Sequence, residues 1–198
     1  MTDELSLENI CKKLTQKEEE FVLQLITIDP VTQLPNRKGL ANLKSAVIGG
    51  AMRKGEYFNL LLIDADHFKQ YNDTKGHPEG DKLLHGLAQT MRDTLRSGDQ
   101  NLLHRIGGDE FAIIFPSAKA SAGYTVGEKL RKAIEKNYKA SHGITISVGV
   151  ASIRPEKSDD VNNLYDLAYQ RADKALYYVK NAGRNGVQAA SSKIIREI

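Results

Sequence analysis

The run Tyr57-Phe58-Asn59-Leu60-Leu61-Leu62-Ile63 is almost unbrokenly apolar and ends in Asp64-Ala65-Asp66. A short run of this kind is a strand covered on both faces, so the fold must place one layer above it and another below. Acidic residues just past a buried strand sit where α/β folds keep their functional groups. Two further strand-like runs, Leu102-Leu103-His104-Arg105-Ile106 and Glu110-Phe111-Ala112-Ile113-Ile114-Phe115, flank Gly107-Gly108-Asp109. That pattern predicts a tight hairpin in which glycine supplies positive φ. Taken alone, the tip is either a plain polar turn or a site. Side chains alternate along a strand, so Asp109 and Glu110 leave on different sides, and one or both can face a neighbouring strand end and a metal. Antiparallel pairing of the strand from Glu110 with the one ending at Ile63 would bring Asp109 to Asp64. Carboxylates gathered this way repel unless a cation lies between them, and Mg²⁺ with substrate phosphates is the usual solution.

The remaining pattern wraps helices around these strands. Asn36 is a cap candidate for a helix to about Arg53, with Leu40, Leu43, Val47 and Ile48 on one face. Residues 66–73 read as a helical turn and loop. Helices follow over about 79–96, with Leu83, Leu84, Leu87 and Met91 inward, over about 118–136, with Val126, Leu130 and Ile134 inward, and over about 161–179. Residues 144–150 alternate like a strand, and Val187-Gln188-Ala189 adds a short edge strand. The order strand, helix, strand, strand, helix, strand is the ferredoxin-like pattern, an α/β (α+β) fold that sets the first strand beside the third.

Ahead of this domain, residues 4–28 read as a helix with a seam of Leu7, Cys11, Leu14, Glu18, Phe21, Leu25 and Ile28. The seam suits either packing on its own domain or a short coiled coil between two chains. The expected division is therefore a helical extension over 1–28 and a domain over 29–198. The net charge is only +3, with Lys and Arg dispersed, so nothing calls for a nucleic-acid partner. No run of about eighteen apolar residues predicts a membrane span. Met1-Thr2-Asp3-Glu4 lacks the basic head of a signal peptide. The single cysteine, Cys11, permits no internal disulfide and fits a reducing, cytoplasmic setting.

Several blocks together carry a resemblance. Gly107 to Phe111 spells GGDEF, and Asp64-Ala65-Asp66-His67-Phe68-Lys69 with Tyr71-Asn72-Asp73 is similar to D-x-D-H-F-K-x-x-N-D. Gly76-His77-Pro78-Glu79-Gly80-Asp81 resembles G-H-x-x-G-D, and Asp29 to Arg37 resembles D-x-L-T-G-L-x-N-R, with Gln33 where glycine is usual. Ala172 to Tyr177 and Lys180 to Asn185 resemble a closing A-D-x-A-L-Y-x-A-K-x-x-G-R-N. Over 29–187 the chain thus resembles the GGDEF-domain diguanylate cyclase family. The resemblance implies a palm-like sheet shared with nucleotidyl cyclases and polymerases. It implies condensation of two GTP into cyclic di-GMP with release of two pyrophosphates, Mg²⁺ (or Mn²⁺), and catalysis by a homodimer. In that family a helix ahead of the domain often links to a sensor, so the chain is either a piece of a sensor protein or a stand-alone cyclase. A catalytically silent nucleotide-binding domain and a cyclase of altered nucleotide choice are the competing readings.

Residue by residue, Asp64 and Asp109 are the first choices as metal ligands, with the Ala65 carbonyl third and Glu110 assisting. The family implies that Asp109 activates the attacking hydroxyl. Asp66 reads as a structural carboxylate. The turn His67-Phe68-Lys69 offers backbone N–H groups at a helix start, and Lys69 reaches phosphate as a point charge. Lys180 and Arg184 are either a charge pair at a helix C-terminus or, by the resemblance, ligands of the terminal phosphates. Arg105 is either a sheet-surface charge or an organiser of the Asp109 and Glu110 carboxylates, at the edge of the substrate site. Asn72 and Asp81 can hydrogen-bond the edge of guanine, whereas His77 is expected to be structural. Many family members carry an arginine-based product site, R-x-x-D, just before the hairpin. Here that window reads Gly98-Asp99-Gln100-Asn101, and Arg96-Ser97-Gly98-Asp99 spells the motif two residues early. No working allosteric product site is therefore expected, with Arg96 and Asp99 as a shifted alternative.

Overall fold

The structure, a computed structural model, describes residues 26–99 and 102–190. The expectations for the helix over 4–28 therefore lie almost wholly outside the described residues. The elements are α1 (Arg37–Lys54), β1 (Tyr57–Asp66), α2 (Phe68–Lys75), α3 (His77–Thr94), β2 (Leu103–Arg105), β3 (Glu110–Ser117), α4 (Ala122–His142), β4 (Thr145–Ile153), α5 (Val161–Asn181) and β5 (Val187–Ala189). The sheet order is β2-β3-β1-β4-β5. The expected first-beside-third pairing is present, and β5 joins the far edge parallel to β4.

β1 is central, antiparallel to both β3 and β4, and buried from Phe58 onward. Its alternate residues feed two cores. Phe58, Leu60 and Leu62 pack with Leu40 and Ile48 of α1 and with Leu164, Ala168 and Ala172 of α5. Leu61 and Ile63 pack on the other side with Leu84, Leu87 and Met91 of α3 and with Leu130 and Ile134 of α4. A strand buried on both faces therefore reads as continuous apolar sequence, and full burial of each such Leu or Ile stabilises by about 1.5–3 kcal/mol. The polar exception is Asn59, whose Oδ1 accepts from the Gly123 N–H and from Ser152 Oγ, tying the start of α4 to the sheet. Gly149 lets α5 lie directly on β4, because a Cβ there would overlap the Ala172 carbonyl and the Leu176 N–H.

The helix boundaries correct the sequence expectations in specific ways. Asn36 does cap α1, accepting from Lys38 N at 2.8 Å. β1 runs through Asp66, and α2 takes up most of the segment expected as turn and loop. α3 stops at Thr94, short of Arg96. α4 begins at Ala122 rather than near 118, since Lys119 N bonds Ser117 Oγ and Ala122 N bonds the Lys119 carbonyl in a preceding turn. It continues past Lys136 to Gly143, whose φ of 68° ends it.

Candidate active site

The site forms where β1 ends. Pairing with β3 sets Asp64 opposite Glu110, and pairing with β4 sets it opposite Ser147. Ala65 N donates to the Asp109 carbonyl at 3.1 Å, which fastens the hairpin tip to the strand end. Lys180 Nζ, arriving from α5, donates to Asp64 Oδ2 at 2.7 Å. Burial, above all, raises the Asp64 pKa. Lys180 pulls it back down, while the Asp109 and Asp66 carboxylates push it further up. Asp64 and Asp109 thus share one electrostatic environment, as the strand pairing predicts.

Asp66 is satisfied within the protein. Its Oδ1 accepts from Ser147 Oγ at 2.7 Å, and its Oδ2 accepts from Thr145 Oγ1 at 2.7 Å and from Asn185 N at 3.0 Å. The residue is buried, at 1% exposure, and its two oxygens are engaged three ways. It is a structural anchor at the strand end rather than in a turn.

The hairpin corrects two expectations. Neither Gly107 nor Gly108 has a left-handed φ. A Cβ at 107 would crowd only the tip of the flexible Glu110 side chain, Oε2 at 2.5 Å, while 108 faces open space. Arg105 does not reach the carboxylates of Asp109 or Glu110. Its guanidinium donates to the Gly107 and Gly108 carbonyls at 3.1 Å and, through a terminal nitrogen, again to Gly108 at 2.7 Å. Its other terminal nitrogen pairs with Asp29 Oδ1 at 2.9 Å. It therefore shapes the tip through the backbone, with Nε and both terminal nitrogens engaged inside the protein. Arg37 Nε supports the same segment from α1, donating to the Ile106 carbonyl. Gln33 has a φ of 59°, the reason glycine suits that position, and its Nε2 offsets part of the cost by donating to the Pro30 carbonyl.

α2 and α3 build the remaining wall. His67 caps α2 with a left-handed φ of 64° and no side-chain bond, so the first N–H groups of the helix point out uncapped. The Phe68 side chain is in the core, leaving only its backbone for a ligand. Lys69 is exposed and, like Arg184, forms no ion pair among the described residues. Asn72 packs against Gly80, where any Cβ would overlap its amide, and its buried Oδ1 lacks a partner. Asp81 follows Gly80 and is exposed. His77 opens α3 on the surface. The structure thus gathers Asp64, Ala65, Asp109, Glu110 and Lys180 at the strand ends, with His67 and Lys69 at the adjoining helix start.

No group of three or more His, Cys, Asp or Glu converges among the described residues. Asp64, Asp109 and the Ala65 carbonyl are an all-oxygen donor set, which suits a hard divalent cation whose remaining ligands are phosphate or water oxygens. That Asp64 already holds a cationic group in the Lys180 ammonium fits the same reading.

Sequence reasoning missed Asn185 as more than part of a motif, and it missed Arg131 and Glu135 altogether. Asn185 Oδ1 accepts from Arg131 and its Nδ2 donates to Glu135. The only sequence signal for this contact is the position of Asn185 beside Arg184.

Residues 26–186 match the family described as "Diguanylate cyclase, GGDEF domain". The chain is 35% identical over 175 residues to diguanylate cyclase DosC of Escherichia coli (strain K12), covering 86% of this chain and 36% of that relative. It is 36% identical over 166 residues to diguanylate cyclase DgcP of Pseudomonas aeruginosa, covering 82% of this chain and 24% of the relative. The chain therefore spans about a third or less of these curated relatives. Among solved structures, the coiled coil and GGDEF domain of DgcB from Caulobacter crescentus, in complex with c-di-GMP, superposes with a TM-score of 0.75 at 32% identity. That match covers 88% of this chain and 91% of the other. Diguanylate cyclase SiaD from Pseudomonas aeruginosa, in complex with its activator SiaC, gives a TM-score of 0.72 at 31% identity, covering 93% and 70%.

Proposed function

The chain belongs to the diguanylate cyclase GGDEF domain family, and on that premise we propose that it condenses two GTP molecules into cyclic di-GMP. The observation that carries this reading is the meeting of Asp64 and Asp109 at the end of the central strand, fixed by the β1–β3 register. In each half-reaction a ribose 3′-oxygen of one GTP bonds to the α-phosphorus of the other, and the bond to pyrophosphate breaks. The hydroxyl proton leaves as the new bond forms, passing to solvent by way of the Asp109 carboxylate that activates the hydroxyl. Done twice in opposite senses, this closes the ring and releases two pyrophosphates.

The chain's own groups divide the work. Asp109 orients the attacking hydroxyl, with Glu110 beside it. The uncapped N–H groups opening α2, with Lys69, Lys180 and Arg184, supply the positive field for the triphosphate. Asn72 and Asp81 read the guanine edge, and the unpartnered Asn72 Oδ1 supports a role in accepting a base donor. Asp64, Asp109 and the Ala65 carbonyl hold the divalent cation, Mg²⁺ or Mn²⁺. When bound, that ion acts as a Lewis acid at the hydroxyl and at the phosphate oxygens. Each domain binds one GTP, so two chains face one another to make a product with two guanosines. The substrate is a cytoplasmic nucleotide, and no helix among the described residues is long and apolar enough to cross a membrane.

The test is purified protein with GTP and Mg²⁺, with the products separated by chromatography. Cyclic di-GMP with two pyrophosphates per ring is the expected outcome. GTP left intact at concentrations where sizing shows a dimer would refute the reading.

A further inference from the structure

The segment between α5 and β5 is unusual in its backbone. Gly183, Arg184 and Asn185 have φ values of 109°, 64° and 47°, three successive left-handed residues of which two carry side chains. Left-handed backbone is unfavourable for such residues, and it persists where the surroundings over-determine it. Here they do so on two sides. From below, Asp66 Oδ2 accepts the Asn185 N–H at 3.0 Å, and Asp66 is itself held by Thr145 and Ser147 of β4. From the flank, the Asn185 amide is clasped by α4. Its Oδ1 accepts from Arg131 at 3.1 Å, and its Nδ2 donates to Glu135 Oε1 at 2.8 Å. The orientation of that amide is unambiguous, because Arg131 only donates and ionised Glu135 only accepts. Glu135 is ionised at any ordinary pH. Lys139, then Asn185 and Arg131, hold its pKa down to about 2. Arg131 is set in turn by Glu128 and Glu135 at 3.1 and 2.8 Å.

What this apparatus holds is Arg184. That residue is exposed and has no ion pair among the described residues, and it lies four residues after the Lys180 that sits on Asp64, beyond the end of α5. A long cationic side chain loses rotamer freedom on binding, and a fixed backbone beneath it lowers that cost. We propose that Asn185, clasped by Arg131 and Glu135, is a positioning residue that presents Arg184 to the terminal phosphates of the nucleotide. The proposal rests on the reading of this site as a GTP site. Asn185 touches no substrate. It works by fixing the loop from the helix α4 side, through residues the reaction itself does not use.

The test is calorimetric binding of GTP and of GMP, which lacks the terminal phosphates, so no turnover is needed. Asn185→Gly keeps the left-handed backbone at no steric cost and removes both side-chain bonds. It should weaken GTP about tenfold, the usual worth of one hydrogen bond to a charged group, and leave GMP unchanged. Arg131→Gln, at a half-buried position of α4, should act in the same direction, with melting curves showing that the variant is folded. In an Arg184→Ala background, Asn185→Gly should cause no further loss, since the group it positions is gone. GTP affinity unchanged in Asn185→Gly overturns the positioning role alone. Equal weakening of GMP, or full additivity with Arg184→Ala, also overturns it by showing a general effect on the fold. Wild-type protein that binds neither nucleotide overturns the underlying site reading, and the proposal with it.

Discussion

Lys180 Nζ and Asp64 Oδ2 lie 2.7 Å apart, bridging the end of α5 and the end of the central strand. The pair joins the carboxylate that β1 delivers to a cation that arrives from 116 residues away. Even so, the Asp64 pKa is raised, because burial outweighs the lysine. Folding therefore favours the protonated form of this carboxyl. The sign follows. Its unfavourable effect is absent well below the ordinary aspartate range and develops as pH rises from that range through the raised folded value. Asp64→Asn mimics the favoured neutral form. We expect it to keep or slightly raise the melting temperature at neutral pH while turnover falls by several orders of magnitude, about 1.4 kcal/mol of barrier per tenfold. Melting curves and a GTP turnover assay on the same preparation check both halves. Near-normal activity in a folded variant would remove Asp64 from the site.

Assembly gives a second expected outcome. In the proposed reaction each domain binds one GTP and the product has two guanosines, so specific activity should rise with protein concentration until the dimer saturates. Linking two chains through their N-termini should shift that rise to lower concentration by raising the effective concentration of the pair. The check is initial rates across a dilution series, paired with sizing. Activity per chain that stays flat through a range containing only monomer would contradict the two-chain site.

In the proposed reading, base choice depends on a contact between α2 and α3. Gly80 leaves no room for a methyl group against the Asn72 amide, and Asn72 Oδ1 is buried without a partner. Gly80→Ala should displace Asn72 and cost about 1–3 kcal/mol of stability through overpacking. It should also raise the KM for GTP. Asp81→Ala should leave stability nearly unchanged, because Asp81 is exposed. It should collapse GTP use and narrow the preference over ATP, since a site built to pair polar groups discriminates through them. Steady-state rates with GTP and ATP, beside melting curves, separate the two effects. Undiminished GTP preference in Asp81→Ala would exclude that residue as a base reader.

Features set by local pattern were legible in the sequence. The apolar run of β1, the Asn36 cap and the two carboxylates at the hairpin are written in consecutive residues, and β1–β3 pairing follows from the ferredoxin-like order. What escaped depends on side chains that meet across the fold. Lys180 on Asp64, Arg105 on Asp29 and Asn185 on Arg131 join residues 116, 76 and 54 apart. No periodicity encodes such contacts. Gly107 is instructive in another way. The sequence pattern predicts a positive φ there, and the structure shows instead an ordinary φ with the Glu110 carboxylate packed alongside.

The last expected outcome concerns feedback by the proposed product. The family's R-x-x-D pattern is shifted here by two residues, and its usual window falls partly on residues outside those described. In a strand, such a shift would move the side chains by roughly 6–7 Å while keeping their facing. The structure places Arg96 to Asp99 in a turn instead. α3 ends at Thr94, Gly98 has a φ of 96°, and Asp99 N bonds the Arg96 carbonyl at 3.0 Å. Leu102 N then bonds the Asp99 carbonyl at 3.0 Å, leading directly into β2. The turn is thus closed by its own backbone, and Arg96 and Asp99 are both exposed and form no ion pair with one another. An arginine site for a dinucleotide needs side chains fixed by neighbours, since a freely rotating guanidinium gives up entropy for each contact. Among the described residues nothing in this turn fixes either one. Product inhibition should therefore be weak or absent. The measurement is cyclic di-GMP titrated into a steady-state GTP assay, beside calorimetry on nucleotide-free protein. Tight, non-competitive inhibition that disappears in Arg96→Ala would show that the shifted turn does form a product site.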